Sequence, residues 1–394
     1  MLLLPCVFSD PHTQRLWHAG EIRAAYEHSA ARVAAAPVSE HPFRDASASL
    51  EVAREWHAHG ILCWHAARFA ECKTMLDRAH AARKQVLGAE HPDTLDTLER
   101  RAALAHYLLA DDDQARFDDV VGRLVRVFGE DHLRVAIARR NFSTCFRDRG
   151  RIDDARAMLE LARPVIEREL PTDHAEVVAL YKVDAMLAIA EQRSAEAIGI
   201  AERAIRVGIW VWHDDHPFVA AAALTLASAE ARQGDDKRAV KRMPDIHRSF
   251  DRAYGRHPLV ALALHKHGQL ELALGRNFQL AEQLVRRGIE MYRETYPTMP
   301  MGMAQTLFKI MFASGRVVDA GELAVELADA PRWLQLDMTS KVANHLVKLR
   351  DFRTALPFVK RARDLCDDDE TRAKWAEQAA YVADQLPPGP VRDT

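Results

Sequence analysis

Apolar residues recur along most of the chain at intervals of three and four. Val135, Ala138, Phe142 and Cys145 precede Gly150, and Ala155, Leu159, Ala162 and Ile166 follow it. Each set lies on one face of an amphipathic helix. The glycine and its short polar turn separate the two helices. Gly234-Asp235, Gly275-Arg276 and Gly315-Arg316 repeat this punctuation, so the pattern predicts tandem αα-hairpins in an all-α chain.

A second landmark stands between the hairpins: His91-Pro92, Asp131-His132, Asp173-His174, Asp215-His216-Pro217 and His257-Pro258. Its histidines are 41, 42, 42 and 41 residues apart. Tyr296-Pro297 continues the series. His41-Pro42 precedes it by 50 residues, which implies an insertion of about two helical turns in an early repeat. Self-similarity at this period is the mark of a solenoid. The landmark suits a helix start, because proline at the first helical position forfeits no intrahelical hydrogen bond. Acidic clusters such as Asp111-Asp112-Asp113 and Asp153-Asp154 open second helices, where carboxylates complement the helix dipole. Alanine stands five residues after Gly150, Gly234, Gly315 and Arg350, at Ala155, Ala239, Ala320 and Ala355. A side chain that small lets the paired helix approach closely.

These signals place hairpins at about 10–36, 46–88, 92–129, 132–169, 174–211, 216–254, 257–296, 299–330 and 331–366. The expected organisation is an N-terminal hairpin and linker over 1–45 and a repeat array over 46–366. A capping helix over 367–386 covers the last hydrophobic face, and a disordered tail over 387–394 follows from Pro387-Pro388-Gly389-Pro390.

Composition sharpens this picture. Hydrophobic residues make up 48% and aromatics only 7%, which favours closely packed helices. The 54 basic and 57 acidic residues leave a net charge of −3, so there is no general attraction to nucleic acid or to a membrane surface. The five cysteines, Cys6, Cys63, Cys72, Cys145 and Cys366, are odd in number and scattered, as expected of reduced thiols in a cytoplasmic setting. Met1-Leu2-Leu3-Leu4-Pro5 lacks a basic leader, and no run approaches the roughly 18 apolar residues of a membrane span. An intracellular protein is expected.

The segments Leu76-Asp77-Arg78-Ala79 and Leu87-Gly88-Ala89-Glu90-His91-Pro92-Asp93-Thr94, with Ala355-Leu356-Pro357 and Arg361-Ala362, resemble kinesin-light-chain-type tetratricopeptide repeats. Asn141, nine residues before Gly150, and Glu202-Arg203-Ala204 add to the likeness. The resemblance spans about 46–366 in period and punctuation. It implies a right-handed superhelix of about nine hairpins whose first helices line a groove for peptides. The chain departs from that family in having only three asparagines, Asn141, Asn277 and Asn344, so an asparagine-lined groove is mostly absent.

Counted along that groove, the phase of Asn141 also holds Arg101, Val183, Thr225, Lys266, Thr306 and Lys341. One residue earlier stand Arg100, Arg140, Lys182, Leu224, His265 and Gln305. Arg100, Arg101, Arg140, Asn141, Lys182, Thr225, His265 and Lys266 are therefore the candidate partner-binding residues. Arginine suits bidentate recognition of carboxylates, so the expected partner is a protein or peptide with an acidic segment or C-terminus. The competing reading pairs these charges with acidic neighbours.

Catalytic and cofactor motifs are not found. The sequence carries no phosphate loop, nucleophile elbow, zinc-hydrolase pair or DNA-reading helix-turn-helix. The landmark histidines recur one repeat apart, too far for one metal centre. Between Trp56 and Cys72, His57, His59, Cys63 and His65 fit no standard ligand spacing, and His57 and His59 point to different faces of a helix. Packing is the expectation there, whereas a pocket with convergent polar groups would argue for catalysis. Trp210 and Trp212 are read as inter-repeat packing or an interaction anchor. Met299, Met301, Met303 and Met311 are read as core filling or an adaptable surface. The expected function is a non-enzymatic, cofactor-free interaction scaffold, with a peptide-responsive regulator as the alternative.

Overall fold

A computed structural model describes residue 8 and residues 10–35, 46–108, 113–296, 300–327 and 330–386. His41-Pro42, Pro297, Met299, Asp111, Asp112, Cys6, Met1 to Pro5 and the 387–394 tail lie outside the described residues. Those described form helices and no strand. The chain divides into two compact units, Met1–Ala263 and Leu264–Thr394.

The first unit opens with α1 (Pro11–His18) and α2 (Ile22–Ala35), followed by α3 (Ala46–His65), α4 (Phe69–Leu87), α5 (Pro92–Tyr107) and α6 (Asp113–Phe128). It continues through α7 (Leu133–Asp148), α8 (Ile152–Glu169), α9 (Ala175–Ala190), α10 (Ser194–Val211), α11 (Pro217–Arg232) and α12 (Asp236–Tyr254). Helix α13 (Pro258–Leu274) runs into the second unit. That unit also holds α14 (Phe278–Thr295), α15 (Met301–Ala313), α16 (Val317–Glu326), α17 (Arg332–Lys348), α18 (Phe352–Leu365) and α19 (Asp369–Asp384).

The landmark histidines are helix N-caps. Nδ1 of His91, His132, His174, His216 and His257 accepts the backbone N–H two residues on, at 3.0–3.2 Å. A side-chain acceptor at this position satisfies one of the N–H groups that a helix start leaves unpaired. The turns between paired helices need one residue in the left-handed region. Gly150, Gly234, Gly275 and Gly315 supply it with φ of 77°, 91°, 62° and 82°. Ala67, Gln192 and Arg350 take the same role at 56°, 64° and 59°, although a Cβ there costs about 1–2 kcal/mol.

Within each hairpin the recurring alanine meets the partner helix. Ala155, Ala239, Ala320 and Ala355 are all fully buried. First helices differ from second helices in how they are covered. Helix α11 packs against α9, α10 and α12, and it buries side chains around its whole girth, from Phe218 and Val219 to Leu226 and Glu230. Helix α12 keeps one apolar stripe, Ala239, Met243, Ile246 and Phe250, beneath a charged face.

The first unit also closes on itself. Trp17 at the end of α1 packs 4.8 Å from the His65 ring and 5.4 Å from the Phe218 ring. The Trp17 carbonyl lies 3.3 Å from His216 Nε2, and a Cβ at Gly20 would stand only 2.7 Å from Pro217 Cδ. Residues nearly 200 positions apart thus share one apolar contact.

Two outcomes follow from this packing. Leucine at Ala239 should overpack the α11–α12 interface and lower stability by about 1–3 kcal/mol in urea denaturation, whereas leucine at the exposed Ala190 should leave it unchanged. Burial pushes the imidazoles of His216 and His257 down to about 3. The unfolded chain protonates them near 6.5, so their contribution is complete above that pH and is lost as pH falls toward 3. The thermal midpoint should therefore decline between pH 7 and 4, and more shallowly in a His216→Asn, His257→Asn double variant that keeps a capping acceptor; an unaltered slope would contradict this.

Candidate functional site

The first helices α5, α7 and α9 carry most of the candidate residues of the first unit. Asn141 Nδ2 donates to Glu99 Oε1 at 2.7 Å, and Arg140 Nη2 donates to Asn141 Oδ1 at 2.8 Å. Arg140 Nη1 donates to the Glu176 carbonyl at 3.1 Å and also to its carboxylate. The run Glu99, Asn141, Arg140, Glu176 therefore crosses three successive hairpins. Arg140 is only 1% exposed and Asn141 2%, so each bond is made where water cannot replace it.

Further groups extend the run at both ends. Toward α3, His57 Nε2 lies 3.0 Å from Asp96 Oδ2, and Arg100 Nη2 lies 3.7 Å from Asp96 Oδ1. Burial works to raise the Asp96 pKa, but His57 and Arg100 hold it far below the ordinary carboxylate range. Glu99 moves the other way: burial raises it, and the opposing pull of Arg100 is outweighed. At the far end of α7, Arg147 pairs with Asp148, while His106 Nε2 stands 3.9 Å from Asp148 Oδ2. Lys182 on α9 faces this end. Burial, with the charges of Arg147 and Arg140, pushes it down to about 8 against the attraction of Asp148. Thr144 Oγ1 and Arg147 Nη1 have no hydrogen-bond partner among the described residues.

The remaining candidates are placed elsewhere. Arg101 Nε donates to Asp77 Oδ1 of α4 at 2.7 Å. Counted from the landmark, Asn141 is nine residues past His132, and the residue nine past His91 is Arg100. Glu99 and Arg100 thus occupy the phases of Arg140 and Asn141, and Arg101 falls one position outside them. Counting from His91 would also have found Glu99. The Thr225 hydroxyl donates to Ala221 O of its own helix at 3.1 Å. His265 and Lys266 belong to the second unit, where His265 Nε2 is 2.8 Å from Thr306 Oγ1 and burial pushes the imidazole down to about 4.

The histidine-rich stretch of α3 splits between two faces. His57 turns to α5, and His59 turns to α2 and α4, between Ser29 and Glu71. One donor atom each of His59, Cys63 and Glu71 lies within 4.8 Å of the others, the one group of residues with metal-ligand spacing found among those described. The helical spacing of His59 and Cys63, four apart, was the signal for it. Trp212 stacks on His216 with centroids 4.7 Å apart, whereas Trp210 is 85% exposed. Met303 and Met311 are buried. A cleft of about 540 Å³ lies along α11 and α12, between Asp215 and Arg242, outside the polar run.

Solved structures provide the comparison. The apo form of RapI matches with a TM-score of 0.50 at 9% identity, over 86% of this chain and 98% of that one. The chain folds as tetratricopeptide-like repeats. A Podosopora anserina kinesin-light-chain protein with nearly identical tetratricopeptide-like repeats has 19% identity and a TM-score of 0.39, over 54% of this chain and 97% of its own. BtubC of P. vanneervenii has 14% identity and a TM-score of 0.41, over 61% and 91%. No family model and no curated protein matches the chain. In this tetratricopeptide-like protein no described helix is long and apolar enough to cross a membrane.

The polar run yields a direct test. Asn141→Ala removes the amide that serves the buried Glu99, which should cost about 1–3 kcal/mol. The loss raises the Glu99 pKa further, so denaturant melts should show a larger deficit at pH 8 than at pH 5; a deficit independent of pH would contradict the pairing.

Proposed function

We propose that this protein is an interaction scaffold that holds an acidic segment or C-terminus of a protein partner along α7 and α9. The observation that carries the reading is the excess of cations around Lys182. Burial pushes its ammonium down to about 8, and the charges of Arg147 and Arg140 act in the same direction against the attraction of Asp148. A partner carboxylate placed there adds counter-charge to that of Asp148. Arg100, Arg140 and Asn141 act behind this surface. They are already bonded to acids of the chain, and they fix the helices that present Lys182.

A scaffold reading also fits the chemistry of the cysteines. Burial pushes the Cys63 and Cys72 thiols well above their usual range, which leaves them protonated and poorly nucleophilic. The regulatory alternative has an added cost. The Trp17 contact with Phe218 joins distant hairpins of the first unit, and a ligand that altered the pitch of the repeats would have to break it.

The test is a selection of random C-terminal peptides on the purified full chain, followed by anisotropy measurements. Acid-rich sequences should be enriched, and Lys182→Glu, checked for folding by circular dichroism, should weaken them at least tenfold, equivalent to about 1.4 kcal/mol. A bound carboxylate favours charged Lys182 and raises its pKa, so affinity should fall as pH rises through about 8. Peptides without acidic enrichment, or equal binding by the variant, would overturn the proposal.

A further inference from the structure

The N-terminal hairpin meets the first full repeat over a group of side chains that partner binding does not use. His59 and Cys63 stand one turn apart on α3, and Glu71 stands in the first turn of α4. His59 Nε2 is 3.0 Å from Glu71 Oε1. Both His59 and Cys63 are buried, whereas the Glu71 side chain is 36% exposed, which leaves a way in from solvent.

We propose that His59, Cys63 and Glu71 form a binding site for a zinc-type divalent cation. Imidazole nitrogen, thiolate sulfur and carboxylate oxygen are the donor set that zinc takes. Around a tetrahedral ion such donors lie about 3.3–3.8 Å apart, and here they already lie within 4.8 Å of one another. Rotation of side chains is enough to close the remaining gap.

The outer groups favour the same assignment. His59 Nδ1 lies 3.1 Å from the buried Ser29 hydroxyl, whose oxygen accepts Nδ1–H in the tautomer that frees the Nε2 lone pair for an ion. The Tyr26 hydroxyl donates to Glu71 Oε2 at 2.9 Å and leaves Oε1 for the ion. Metal-bound histidines and carboxylates are oriented in this way by a second set of hydrogen bonds. On binding, the Cys63 thiol gives its proton to solvent, the imidazole exchanges its Nε2 proton with solvent for one on Nδ1, and the Nε2 contact with Glu71 gives way to two bonds to the metal. Three protein donors leave a fourth position for solvent. Because Ser29 and Tyr26 belong to α2, an ion held by α3 and α4 straps the N-terminal hairpin to the first repeat.

Cobalt(II) is the probe. The full chain, stripped with chelator and kept reduced, is titrated with cobalt(II) chloride and then with zinc chloride. The site is supported by one cobalt per chain with a thiolate-to-cobalt charge-transfer band that zinc bleaches, and by a rise in thermal midpoint with zinc. Cys63→Ser should abolish the charge-transfer band and Cys72→Ser should keep it. Ser29→Ala should bind 10–100-fold more weakly while retaining the band; it is the variant that decides if Cys63→Ser does not fold. A folded wild-type chain that gives no band, or a band that survives Cys63→Ser, overturns the site.

Discussion

A first helix in these repeats is covered by second helices of its own hairpin and of the preceding one, as α11 is by α12 and α10. This coverage governs what its side chains can be. Alanine and β-branched residues satisfy it by burial alone, whereas a polar group left unpaired there costs about 1–3 kcal/mol, which favours partners within the protein. The run from Glu99 to Glu176 is the consequence. Each of its members lends a bond to a different hairpin, so the requirement that polar groups be paired also fixes the stacking of one repeat on the next.

The same constraint separates structural charge from charge available to a partner. Arg140 and Asn141 are closed in by acids of the chain, and to recruit them a ligand would have to displace Glu176 or Glu99. That exchange replaces one buried pair by another and gains little. Lys182 differs because its neighbours include like charges as well as Asp148. An anion there gains attraction without first breaking a buried pair, which is why a single lysine outweighs the better-formed contacts of Arg140 and Asn141 in the functional reading.

Much of the fold was legible because it rests on local rules repeated at one period. The histidine cap, the left-handed turn residue and the buried alanine each need only neighbours in sequence, and each recurs at a constant offset. The polar run was legible in part. Its residues were singled out by phase, but Arg101 stands only 40 residues before Asn141 whereas His91 and His132 are 41 apart, so the phase was set one residue late and Arg101 was included while Glu99 was left out. Contacts outside the period left no such trace. The closure of Trp17 on Phe218 and the approach of Ser29 to His59 depend on how far the repeats turn before they meet the first hairpin, and this accumulates from small helix-to-helix rotations that no single residue encodes.

These non-periodic contacts bear on how a repeat array holds a defined surface. An open solenoid has only nearest-neighbour interfaces, and small changes at each add along its length. In the first unit, the apolar contact of Trp17 with His65 and Phe218 ties the beginning of the chain to α11, so the rotations of the hairpins between them must sum to a fixed value. Helices α5, α7 and α9 lie within that closed stretch. The position of Lys182 relative to α7 is then set twice, locally by Arg140 and Glu176 and globally by the closure. If the proposed partner docks here, it pays little ordering entropy on the protein side, and a change that loosened the N-terminal hairpin would reach the surface without touching it.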